Sequence, residues 1–94
     1  MNQNQDLIDK HQKALDDLKL SEDNLEEEIG NLQHELRRVK DGIERVGGSS
    51  HSLEQEAKQL LSNIDLCERD LMRNRNQQNR LSEQVNTLKN TSDN

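Results

Sequence analysis

The sequence predicts an all-α fold, an antiparallel two-helix coiled-coil hairpin able to pair with further helices in a bundle, and three observations predict it. Only 28% of the 94 residues are hydrophobic, 34% are charged, and there is no Phe, Trp or Tyr, which leaves too little apolar area for a compact globular core at this length. Nineteen of the 26 hydrophobic residues nevertheless fall on the two inner positions, a and d, of a single heptad register. Disorder does not concentrate apolar residues in that way, whereas helices sharing a narrow seam require it. Proline is absent, and proline inside a helix costs roughly 3 kcal/mol.

Residues 1–5, Met1-Asn2-Gln3-Asn4-Gln5, read as a disordered start. They lack the charged and apolar regions of a signal peptide, and no apolar run approaches bilayer-spanning length, so the expected place is the cytoplasm with no membrane insertion. The first helix is expected over residues 6–46, with the seam Ile8, Leu15, Leu18, Leu25, Ile29, Leu32, Leu36, Val39, Ile43 and Val46, interrupted by His11 and Glu22. Gly30 and Gly42 each weaken it by about 1 kcal/mol relative to Ala. Residues 47–52, Gly47-Gly48-Ser49-Ser50-His51-Ser52, form the only cluster of turn formers. Gly47 and Gly48 suit a turn because glycine adopts positive φ at little cost, and Ser52 with Gln55 matches a capping box for the second helix. That helix is expected over residues 53–90, with Leu53, Ala57, Leu60, Ile64, Cys67, Leu71, Leu81, Val85 and Leu88 on the seam and Asn74 and Gln78 as polar interruptions. Residues 91–94 read as a disordered tail, and Asn90-Thr91-Ser92 as a chance match to a glycosylation acceptor.

The register passes the glycines without a phase break, because Val46 and Leu53 are both d positions, so a continuous parallel coil is the rival architecture. Charge opposes it. Residues 6–46 hold 12 acids and 7 bases, whereas residues 52–90 hold 6 of each, with Arg69, Arg73, Arg75 and Arg80 grouped together. The acids concentrate in Asp16, Asp17, Glu22, Asp23, Glu26, Glu27 and Glu28, and folding back at the glycines lays the arginine stretch against residues 16–27, while a parallel dimer would set the acids against themselves. The fold-back also gathers Glu22, Asn74 and Gln78 into neighbouring layers with Arg75 beside them, a polar register layer instead of a Glu22 pair buried against its own copy. Leu7, Ala14 and Leu61 flank the seam and widen it locally.

No catalytic or metal-ligating constellation stands out. His11, His34 and His51 are separated along the chain, and the single cysteine, Cys67, reads as a packing thiol on the seam facing Ile29. The run Arg73-Asn74-Arg75-Asn76-Gln77-Gln78-Asn79-Arg80 lacks aromatics for stacking, and the chain carries a net charge of −6, which argues against nucleic acid. The expectation is a protein with no enzymatic activity and no cofactor, whose partners are other coiled-coil or helical proteins, or itself.

Ile29-Gly30-Asn31-Leu32-Gln33-His34-Glu35-Leu36-Arg37-Arg38, preceded by Ser21, Leu25 and Glu27, resembles the first long helix of the snapin-type subunits, with its I-x-N-L-x-x-E-L-x-R run. Lys58-Gln59-Leu60-Leu61 and Gln78-Asn79-Arg80-Leu81 resemble stretches of the second helix. The likeness covers most of the chain at low identity, largely on seam positions that coiled coils share, and the Gly47-Gly48 loop is shorter than that family's. The resemblance implies a small helical subunit of a complex that builds lysosome-related organelles, hence organelle or vesicle trafficking. Lys40 to Glu44, the loop, and Leu53 to Asp65 are also similar to the carboxyl-terminal coils of the central-channel nucleoporins, without that family's tryptophan. The functional expectation is a coiled-coil interaction or scaffold subunit of a helical multiprotein complex, the alternative a rigid spacer or homo-oligomerisation coil with no specific partner.

Overall fold

The computed structural model describes residues 3–48 and 50–92. Two helices, α1 (Gln3–Arg45) and α2 (His51–Ser92), make up nearly all of it, and no strand occurs among the described residues. They form an antiparallel helical hairpin. Asp6 and Glu54 in the first turns, and Arg45 and Lys89 in the last turns, complement the two helix dipoles.

The turn is built from backbone bonds the sequence makes affordable. Gly48 N–H donates to Ile43 O at 2.8 Å and Gly47 N–H to Glu44 O at 3.1 Å, the paired closure of a Schellman motif. Both glycines have positive φ, 82° and 80°, a conformation that costs a residue with a Cβ roughly 1–2 kcal/mol. α2 is capped by Ser50, whose Oγ accepts the Leu53 N–H at 3.3 Å while its carbonyl accepts the Glu54 N–H at 2.9 Å.

All four helix ends depart from the sequence expectation, α1 ending at Arg45 instead of residue 46. His51 and Ser52 are helical, so the expected Ser52–Gln55 box gives way to the Ser50 cap, one turn ahead of the first seam residue, Leu53. α1 begins at Gln3 and α2 runs to Ser92, into the segments expected to be disordered. At the second end the Thr91 hydroxyl donates to Thr87 O at 2.8 Å, continuing the helical pattern. The expected disorder of residues 1, 2, 93 and 94 lies outside the described residues.

The chain divides into two compact units. The turn unit, residues 25–71, is centred on Leu36, Val39, Leu60 and Ile64, with Leu32, Ile43, Leu53 and Ala57 packed against them. A Cβ on Gly42 would stand 3.5 Å from a Leu53 methyl, an ordinary van der Waals contact that an alanine would also make. The second unit, called the terminal unit below, joins α1 up to Asn24 with α2 from Met72. It is centred on Ile8, Leu15 and Val85, with Leu81 and Leu88 against them. Leu71 is buried, and Leu18, Leu25, Ile29 and Cys67 are half-buried. Val46 is the exception among the expected seam residues. It is 54% exposed, because α1 ends at Arg45 and the Schellman turn carries Val46 out of the seam.

Candidate interaction surface

Two features of the terminal unit distinguish it from a plain apolar seam: a polar layer through its core and an open groove along one flank. The polar layer follows from Asn74, a buried residue on an inner position. Its amide Nδ2 donates to Leu18 O across the seam at 2.9 Å, and its Oδ1 accepts from Gln78 Nε2 at 2.6 Å. Gln78 Nε2 also donates to Glu22 Oε1 at 3.1 Å, and Arg75 Nε donates to Glu22 Oε2 at 2.9 Å. The three residues expected to form the register layer, Glu22, Asn74 and Gln78, thus meet, with Arg75 closing the set. Arg75 and Gln78 hold the Glu22 carboxyl below its ordinary range, their bonds outweighing the opposing effect of burial. No buried side-chain nitrogen or oxygen among the described residues lacks a partner, so the layer meets the condition under which polar cores are tolerated.

The expected pairing of the wider arginine stretch with the acids of α1 is seen at Arg75, which meets Glu22, and not at Arg69. Arg69 pairs instead with Asp65 on its own helix at 2.9 Å, because its heptad position points it away from α1. Arg80 lines a groove beside the seam.

That groove consists of two adjoining clefts of about 480 and 430 Å³, open to solvent. Leu7, His11 and Leu88 floor one and Ala14, Leu18 and Leu81 the other, while Arg80 and Gln84 border both and Glu83 borders the first. Among the described residues Arg80 makes no ion pair or hydrogen bond. The heptad explains the apolar floor. In this unit the flank positions g read Leu7, Ala14 and Ser21 on α1 and Gln77, Gln84 and Thr91 on α2, without a charge. In the turn unit the same positions include Glu28, Glu35, Glu56 and Asp70, an ordinary solvated flank. The absence of charge from one flank was the sequence signal for the groove. Leu7 and Ala14 were legible in it, while Arg80, Glu83, Gln84 and Thr87 as its border were not.

Cys67 is half-buried and its thiol is pushed up, first by burial and then by the carboxylates of Glu28 and Asp70, which favours the neutral form. His34 and His51 are exposed and distant in sequence from His11. Among the described residues no group of three or more His, Cys, Asp or Glu side chains is placed to hold a metal ion, and no helix is long and apolar enough to cross a membrane. Comparison with protein-family models, with curated proteins and with solved structures finds no match.

Proposed function

We propose that this chain is a non-enzymatic coiled-coil scaffold subunit that seats a helix of another protein in the groove of its terminal unit. The observation that carries the reading is that groove: an apolar floor beside the seam, with no charge on its g positions and, on its border, Glu83 and Arg80, the latter without a partner among the described residues. Uncharged flanks beside a heptad seam are where a third helix packs in a bundle, and a helix entering a groove does so through an apolar stripe at i, i+3, i+4 and i+7. Arg80 asks for a carboxylate on that helix and Glu83, on the border of the first cleft, for a base, which names the occupant as an amphipathic helix with both charges on its rim. A second copy of the hairpin is a poor occupant, because the apolar seams of its helices are already buried against each other.

Residues 29–38 support placing this role in organelle or vesicle trafficking, through their likeness to the snapin-type subunits, and the cytoplasm is the corresponding place. The test is capture from cytosol by the wild type and by Ala14→Arg, which fills the groove, with Leu66→Glu, an exposed site in the turn unit, as control. A stoichiometric helical partner retained by the wild type and Leu66→Glu but lost by Ala14→Arg is expected. Capture of nothing by any of the three would leave the spacer or homo-oligomeriser reading.

A further inference from the structure

We infer that the turn between α1 and α2 is also a hinge, and that a second copy of this chain can take the place of the chain's own α2. When the turn straightens into helix, α1 of one copy closes onto α2 of the other, antiparallel, with the layers of the hairpin rebuilt between copies. This does not depend on the groove being occupied.

Three observations carry it. The first is phase. Val46 and Leu53 stand one heptad apart on the same inner position, so if residues 46–52 became helical the seam would run on without a slip. A turn with no other role could have had any length. The second is what holds the hairpin shut. Closure rests on Gly47 and Gly48 at φ 82° and 80°, and a Cβ on either would meet nothing within 4 Å. Neither glycine is required for packing, and each serves only the positive φ. The third is Val46, a seam residue by register left 54% exposed by the turn. In the straightened chain it returns to the inner face beside the partner's Ser50.

Because the other layers are the same in both closures, the balance is set by the hinge and by chain concentration, the usual terms of exchange between identical elements. Alanine at 47 and 48 acts on both sides of that balance. It is strained at positive φ and is a better helix former than glycine.

The experiment compares the wild type with the Gly47→Ala/Gly48→Ala variant, by light-scattering mass across a concentration series and by the bridge each forms once Ile29→Cys is added opposite Cys67. The wild type is expected to be a monomer at micromolar concentration with its bridge inside one chain. The double-alanine variant is expected to be a dimer of slightly raised helix content, with its bridges between chains and its dimer constant tightened about a thousandfold or more. A monomeric variant with a lowered melting temperature, or a dimer whose bridges stay within each chain, overturns the inference. If the double variant does not fold, the wild type refolded at millimolar concentration and then diluted reads the same exchange. A slowly decaying dimer with bridges between chains supports the inference, and its absence overturns it.

Discussion

Glu22 occupies a position where the heptad asks for an apolar side chain, and it is accommodated because Arg75 and Gln78 occupy both of its oxygens. Its pKa in the fold lies below the ordinary value of 4.5. A carboxyl depressed by folding contributes stability that is fully present above its unfolded pKa and is lost as pH falls through its folded pKa. Glu22→Gln should therefore melt lower than the wild type at pH 7, and the gap should close as pH falls below 4.5. A gap independent of pH between 7 and 2, measured by thermal melts, would show that charge at this position is not what matters. This layer was legible from sequence because its members are misfits at inner positions, which only one fold-back brings to the same level. What was not legible is the atomic route, with Asn74 reaching the Leu18 carbonyl and Gln78 bridging Asn74 to Glu22. Side-chain rotamers at a polar layer follow from local geometry, not from period.

Each helix carries a point where one substitution separates a packing role from a backbone role. Ser50→Ala removes the hydroxyl that accepts the Leu53 N–H and should cost about 1 kcal/mol in chemical denaturation, the usual value of an N-cap. Ser52→Ala, inside the first turn, should change stability by no more than a few tenths. The reverse ranking would restore the Ser52 box. The sequence pointed to Ser52, which has Gln55 three residues on, and the path of the turn puts the cap at Ser50 instead. In α1, Gly30 lies mid-helix with nothing within 4 Å of a Cβ built on it. Gly30→Ala should raise stability by about 1 kcal/mol. A neutral or destabilising result would mean that Gly30 serves a contact the hairpin does not contain.

Across the whole molecule the apolar contacts are unevenly shared. The turn unit has four buried apolar residues at its centre and four more packed on them. The terminal unit has three with two, and a polar layer besides. Local opening tracks buried apolar contact, so amide hydrogen exchange should be slower at residues 32–43 and 53–64 than at 8–18 and 78–88. Equal protection throughout would mean that the polar layer matches an apolar one in strength. Even the best-covered side chain named in either centre, Val85, keeps 3% exposure. That is expected of two helices with nothing above or below them, and it is why the sequence needs so few hydrophobic residues. Period and turn chemistry made the hairpin readable, but a groove depends on which flank lacks charge and on how the neighbouring side chains lie. Ile8 and Leu88, far apart along the chain, share one cluster, so the described ends at Gln3 and Ser92 emerge close together. Groups attached at the two ends would meet at a high effective concentration set by the hairpin and not by the length of chain between them, and releasing α2 from α1 would break that proximity at once.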